Sequence, residues 1–288
     1  MLTIPAPAKL NLTLEVLAKR QDGFHEIRSV IQTINLQDSL RFRLSQNVTF
    51  KSTMPDWVSE ESLVSEAVDL LKETTGCSKG ARIEISKRIP LVSGLGGDSS
   101  DAAATLQGLN ELWELGLSRK KLLELAMQLG SDVAFFLYGG TALVEGRGEV
   151  VTPLPPLPHM WVILVVPPVP RILRKTEQLY ASLKATHYTD GQITRRLVGK
   201  IREGREFTPS FLFNVFENIA FTRLSQISVY REHMLKFGAT NVHLAGSGPT
   251  LFTLVKDKAQ AEKLYIHLQG QKMRPYLAET LTSIDQVE

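Results

Sequence analysis

Apolar and polar residues alternate near the start of the chain, where Leu10, Leu12, Leu14 and Val16 are separated by Asn11, Thr13 and Glu15. A period of two predicts a half-buried strand over residues 10–16, with Lys9 and Asn11 sharing its polar face. Asp22-Gly23 is a turn signal, and Val30, Ile31 and Ile34 supply β-branched bulk for a second strand over residues 29–35. Residues 39–44 and 48–51 predict further antiparallel strands. The period then changes. Leu63, Ala67, Leu70 and Leu71 fall on one face of a helix over residues 62–73 that Gly76 ends, and residues 81–85 alternate again. Alanines and leucines favour a helix over residues 101–113. Ser118 fits the N-cap of another helix, which runs to residue 129 and stops at Gly130. Residues 141–145 and 149–152 predict a hairpin across Gly146-Arg147-Gly148.

Pro153, Pro155, Pro156 and Pro158 interrupt this order before a new strand begins at Trp161. A domain boundary is therefore expected near residue 158, giving units 1–158 and 159–288, and a chain of 288 residues has the length for two domains. In the second unit, strands are expected at 161–166, 241–245 and 251–255, and helices at 175–184, 193–203, 225–237 and 259–269. That pattern describes a sheet covered by helices and places the chain in the α/β (α+β) class.

Composition narrows the picture. The 33 basic and 30 acidic residues leave a net charge of +3, too even a balance to argue for a nucleic-acid partner. Cys77 is the only cysteine, which excludes an internal disulfide or a thiolate metal cage and fits a reducing cytoplasm. Met1-Leu2-Thr3-Ile4-Pro5 does not read as a signal peptide. The apolar run from Met160 to Val166 is far too short to span a bilayer.

Pro90-Leu91-Val92-Ser93-Gly94-Leu95-Gly96-Gly97-Asp98-Ser99-Ser100 leads into the alanine-rich helix. A phosphate needs several backbone N–H groups aimed at one point, and a Cβ obstructs that approach. Gly94, Gly96 and Gly97 supply the openness, Ser99 and Ser100 supply hydroxyls, and the helix adds its positive end. No lysine follows Gly97, so the run is not a Walker loop, nor does it follow the GxGxxG of dinucleotide folds. A tight turn capped by Ser99 would use the same residues. A second cluster, Ala245-Gly246-Ser247-Gly248-Pro249-Thr250, joins two expected strands and makes a candidate second wall for one anion site.

Lys9, among apolar residues, needs a carboxylate or a phosphate if it is buried. Asp132, between Gly130-Ser131 and the apolar run from Val133 to Leu137, is the candidate partner. The six histidines show no metal-ligand spacing. His25 stands beside Phe24 just after the Asp22-Gly23 turn, a pair able to bind a base by stacking and hydrogen bonding or simply to open a strand.

Pro7-Ala8-Lys9-Leu10-Asn11-Leu12, the 90–100 loop and Gly246-Ser247-Gly248-Pro249-Thr250 match in order and spacing the three motifs of the GHMP kinase superfamily. Residues 19–26 and 130–137, with Gly139-Gly140-Thr141-Ala142 and Gly146-Arg147-Gly148-Glu149, narrow the resemblance. They are similar to the branch that phosphorylates a cytidine diphosphate alcohol in non-mevalonate isoprenoid synthesis. The resemblance implies a ribosomal protein S5 domain 2-like amino-terminal half and a ferredoxin-like carboxyl-terminal half, with ATP and the cytidine substrate meeting between them. It implies Asp132 as general base toward the substrate 2-hydroxyl, with Lys9 holding Asp132 ionised and steadying the transferred phosphoryl. The 90–100 loop would wrap the ATP phosphates, with Mg2+ bridging their oxygens and no side chain assigned to the metal. Asn11, Phe24 and His25 correspond to substrate contacts, His25 at the cytosine edge and Phe24 on its face. Thr176 and Tyr180 resemble the opposite side of that slot. Small-molecule partners only, a cytoplasmic location and a monomer or weak homodimer are the expectation.

Several positions depart from the family pattern: Phe24 for the usual Tyr, Asp98 for a small residue, Ala245 for Ser, Arg174-Lys175 for a small pair, and Val215 for Asp within an LFN-x-x-E pattern that keeps Asn214 and Glu217. Two rival readings are a homoserine, mevalonate or galactose-type kinase and a non-catalytic nucleotide or nucleic-acid binding module. Asp22-Gly23-Phe24-His25 argues against the first. The near-even charge and the presence of both Lys9 and Asp132 argue against the second.

Overall fold

The computed structural model describes residues 1–170 and 175–283. Two long antiparallel strands, β1 (Leu2–Lys19) and β2 (His25–Ser45), form its spine, paired from Leu2↔Phe42 to Lys19↔His25. Phe24 N–H donates to Asp22 Oδ1 at 3.1 Å, closing the turn expected at Asp22-Gly23. The two strands expected at 29–35 and 39–44 are one strand, because β1 pairs with β2 at Gln37 and Asp38 between them.

The strand predicted over 10–16 is not half-buried. Every residue from Ala6 to Val16 is buried, because helices cover one side of β1 and the carboxyl-terminal half packs on the other. Its alternation is also interrupted. Asn11 pairs with Ile31 and Thr13 with Val30, which leaves Leu12 as an extra residue in the ladder. Such a bulge exchanges the faces of everything beyond it. Lys9, Asn11 and Leu14 accordingly line one cleft, while Thr13 and Glu15 bond to Thr194 on the other side.

The first sheet continues with β3 (Thr49–Ser52), β4 (Gly80–Ser86), β5 (Thr141–Gly146) and β6 (Val150–Pro153), the last two forming the expected hairpin. β3 pairs parallel to β4, not antiparallel as its sequence neighbours implied, because α1 intervenes and carries the chain back across the sheet. Helices α1 (Leu63–Thr75), α2 (Gly97–Leu112), α3 (Arg119–Leu129) and α4 (Val133–Tyr138) share one core with this sheet. Ser62 and Ser118 cap α1 and α3 through their side chains. α2 starts four residues before the expected 101, so the last four loop residues form its first turn.

A second sheet, in the order β11-β7-β10-β9, is wholly antiparallel: β7 (Trp161–Val165), β9 (His243–Leu244), β10 (Leu251–Val255) and β11 (Tyr276–Glu279). With it come α5 (Lys175–Ala181), α6 (Gln192–Arg202), α7 (Glu217–Arg223), α8 (Ser225–Lys236) and α9 (Lys258–Gly270). β11, α7 and the two-residue β8 (Phe213–Asn214) were not expected, being too short to carry a period. β8 crosses to the first sheet and pairs parallel with Thr13 and Leu14 of β1. Leu10 and Leu12 are fully buried against Leu164, Leu197 and Phe252, so the two sheets share apolar packing under the cleft. Burying each such side chain contributes about 1.5–3 kcal/mol.

Candidate active site

Lys9 is 5% exposed, and its charge is compensated on two sides. Its ammonium lies 3.1 Å from Asp132 Oδ2 and donates to Asn11 Oδ1 at 2.9 Å. Asn11 Nδ2 donates to Ser29 Oγ, whose hydroxyl donates to Thr13 O at 2.5 Å, so a chain of bonds through β2 orients the pair. Asp132 stands at the start of α4, whose residues from Val133 to Leu137 are all buried. That short apolar helix had no predicted period; its burial holds the Asp132 carboxylate, one third exposed, at the cleft.

The 90–100 loop passes directly over this pair. Lys9 N–H donates to Leu95 O at 2.9 Å. Gly96 takes a left-handed φ of +74°, and a Cβ there would fall 2.9 Å from the Phe136 ring and 3.1 Å from Lys9 Cγ. The first N–H groups of α2 have no intrahelical acceptor and open the helix beyond Gly96. Ser100 Oγ is buried there without a partner.

The second glycine loop touches the first, backbone to backbone. A Cβ on Gly94 would fall 2.2 Å from Ala245 O, and one on Gly246 would fall 2.9 Å from Gly94 O and 3.3 Å from Asn11 Oδ1. Thr250 N–H donates to Ser93 O at 3.3 Å. Gly94→Ala, with a left-handed φ of +85° and a backbone clash, is expected to lower the unfolding free energy by about 1–3 kcal/mol. Urea unfolding measures this, and a loss below about 0.5 kcal/mol would contradict the close approach of the loops.

Asn214 and Glu217 support that second loop. Asn214 Nδ2 donates to Leu244 O and Gly246 O, both at 2.8 Å, and Glu217 Oε1 accepts from Leu244 N–H and faces His243 Nδ1 at 3.0 Å. Val215, in place of the usual acid, is buried and bonds through its backbone to Leu14 O. Thr176 Oγ1 lies 2.9 Å from Ser247 Oγ, which joins α5 to the same loop. Arg174 lies outside the described residues.

At the far end of the cleft, His25 stacks on Tyr180 with ring centres 5.0 Å apart and planes 26° apart. Burial, and then the nearby Lys19 charge, lower the His25 pKa, which favours a neutral imidazole. Burial, with the Asp132 charge adding to it, raises that of Tyr180. Phe24 is 55% exposed, and the Arg147 guanidinium lies over its ring at 4.7 Å. These groups and the Lys9–Asp132 pair line one cavity of about 1130 Å³.

Asp98 does not line the cleft. Its carboxylate accepts from Ser62 Oγ at 2.8 Å and from Leu63 N–H at 3.3 Å, at the start of α1. Three residues on, Asp101 joins a buried cluster that the sequence did not signal. Lys87 Nζ lies 2.5 Å from Asp38 Oδ2 and 2.7 Å from Asp101 Oδ2, all three side chains nearly inaccessible. Asp38 Oδ1 also accepts from Arg88 and Ile89 N–H. Burial pushes Asp101 well above the usual carboxylate range, against the pull of Lys87, as expected of two carboxylates sharing one ammonium. Lys87 precedes the 90–100 loop and Asp101 follows it, so the cluster ties the two ends of the loop to β2.

Two family models cover this architecture, GHMP kinases N terminal domain over residues 62–140 and GHMP kinases C terminal over residues 200–271. A relative from Dehalococcoides mccartyi, named 4-diphosphocytidyl-2-C-methyl-D-erythritol kinase, is 52% identical over 99% of this chain and 100% of its own length. The chain belongs to that kinase family. A relative of the same name from Geobacillus thermodenitrificans is 40% identical over 93% of each chain. The crystal structure of a 4-(cytidine 5'-diphospho)-2C-methyl-D-erythritol kinase, 30% identical, matches with a TM-score of 0.82 over 97% of this chain and 99% of that one. The kinase thus has the two-part GHMP fold that its three motifs implied, and membership of this family implies ATP as phosphoryl donor.

Proposed function

We propose that the kinase transfers the γ-phosphoryl group of ATP to the 2-hydroxyl of 4-diphosphocytidyl-2-C-methyl-D-erythritol, giving the 2-phosphate and ADP in the methylerythritol phosphate route to isoprenoids. The observation that carries this reading is the Lys9–Asp132 pair, 3.1 Å apart beneath two touching glycine loops, in the same cleft as the aromatic groups Phe24, His25 and Tyr180. The chain divides near residue 158 into a unit bearing the ATP loop and a unit that closes the cleft.

Phosphoryl transfer asks the protein mainly for position and charge. Asp132 accepts the proton of the attacking 2-hydroxyl as that oxygen loses electron density. Lys9, fixed by Asn11, pairs with the Asp132 carboxylate and lies close enough to steady the transferred group. The ATP phosphates lie against the 90–100 loop, where Gly94, Gly96 and Gly97 admit them and the N–H groups of α2 meet their charge. Asp98 takes part through its backbone alone, since its carboxylate caps α1. The adenosine end fits the neighbouring cavity of about 660 Å³, whose walls include Leu91, Val92, Pro167 and Pro168.

Mg2+ would travel with the nucleotide. Among the described residues no group of three or more His, Cys, Asp or Glu side chains gathers, whereas the unpartnered Ser100 hydroxyl lies at the loop. That donor set fits a cation held chiefly by phosphate oxygens and water, with the hydroxyl as a protein ligand. Bound there, the ion would neutralise charge on the phosphates.

Purified protein is expected to consume ATP with the cytidine diphosphate alcohol and to give little turnover with homoserine or mevalonate. Turnover of homoserine without turnover of the cytidine substrate would overturn the assignment. The neutral His25 presents a donor and an acceptor to a cytosine edge, and Phe24 offers a stacking face. Phe24→Ala is therefore expected to raise KM for the cytidine substrate about tenfold and KM for ATP less than twofold, stacking on a base contributing about 1–3 kcal/mol. Equal rises in both constants would contradict the stacking role. A cytoplasmic monomer or weak homodimer acting on small molecules, with no nucleic-acid partner, completes the reading, the last point supported by the even charge balance.

A further inference from the structure

Lys175 is the first residue of α5 and is 7% exposed. Its ammonium donates to Val92 O of the first glycine loop at 3.0 Å and to Gly248 O of the second. Among the described residues no carboxylate forms an ion pair with it, and burial lowers its pKa to about 8. An ammonium has three donors, of which two are engaged here, and a buried cation held only by carbonyls lacks a compensating charge. The carbonyl on the loop side belongs to Val92, a β-branched residue with a left-handed φ of +54°, so the segment that Lys175 grips is held in a strained conformation.

Position gives this cation its meaning. Lys175 lines both cavities, the one bounded by Leu91, Val92, Pro167 and Pro249 and the cleft that holds Lys9 and Asp132. A nucleotide with its adenosine in the first and its terminal phosphate in the second has to pass Lys175.

We propose that Lys175 is a triphosphate-binding residue whose ammonium exchanges the Val92 and Gly248 carbonyls for phosphoryl oxygens of ATP. The exchange replaces two dipoles with a formal negative charge and frees the Val92 carbonyl. Lys9 remains the cation on the acceptor side, and Lys175 serves the donor side. This inference rests on the 90–100 loop being the ATP site.

The test titrates ATP, ADP and adenosine into the wild-type protein and into Lys175→Met, Lys175→Gln and Lys175→Arg variants by calorimetry, with thermal melts to establish folding. Wild-type protein that fails to bind ATP overturns the loop assignment and the inference together. Given wild-type binding, the inference expects Lys175→Met to lose tenfold or more in affinity for ATP and several-fold for ADP, and less than twofold for adenosine. Lys175→Arg should recover most of the ATP affinity. In turnover, KM for ATP should rise while KM for the cytidine substrate holds. Unchanged ATP affinity, or equal losses for ATP and adenosine, would leave Lys175 as a structural pin and overturn the inference alone. Lys175→Gln carries the same comparison if the Met variant does not fold.

Discussion

Asp132→Asn is expected to lower kcat by about 10²–10⁴, the usual contribution of a positioned general base, while ATP and the cytidine substrate still bind within a few-fold of wild type. The amide has the shape of the carboxylate and keeps an oxygen to accept from Lys9 Nζ, now 3.1 Å from Asp132 Oδ2. It cannot take a proton from the substrate hydroxyl. The loss should therefore fall on kcat, with KM little changed. The α4 helix that carries Asp132 is anchored by Phe135 and Phe136, which the substitution does not touch. Steady-state kinetics with calorimetric binding separates the cases, and near-normal turnover would remove Asp132 from the base role.

The largest effect on stability is expected at a residue that touches no substrate. Lys87→Met leaves Asp38 and Asp101 buried without their cation, and removing one partner of a buried ionic cluster costs about 3–5 kcal/mol. Asp101 Oδ1 already lacks a partner, so the cluster has little capacity to rearrange. Lys87→Met combined with Asp101→Asn removes one of the two stranded carboxyl groups and should recover part of the loss. Denaturant unfolding of the single and double variants measures both values. A single-variant loss below about 1 kcal/mol would show that the carboxylates are neutral without Lys87.

Much of the local structure was legible because its causes are local. Ser118 caps the helix it precedes, Asp22-Gly23 makes its turn, and residues 141–152 close the expected hairpin. The glycine loops could be read for the same reason. A run of glycines entering an alanine-rich helix states where side chains are excluded, whatever lies around it. What the loops exclude them for is the Lys9 stem and, across more than 150 residues, each other.

Lys9, Asn11 and Asp132 were identifiable as candidates and are brought together. Phe24, His25 and Tyr180 meet at the other end of the cleft, while Thr176 turns to Ser247. Arg147, Lys175 and the Lys87 cluster gave no comparable signal. A lone charged residue is usually solvated, and only a distant partner shows that it is not.

The sequence by itself determined the turns, the caps, the glycine-only positions and the family, since each depends on residues a few places apart or on motifs in order. Tertiary structure alone decided the rest. Leu12 bulges and exchanges the faces of β1, so Leu14 lines the cleft and Glu15 leaves it, a change of one residue in register that no period reveals. Asp98 and Asp101 stand three residues apart on one helix, yet one caps α1 and the other pairs with Lys87. Their chemistry is the same, and their roles differ because burial and a partner far along the chain select which charge is kept.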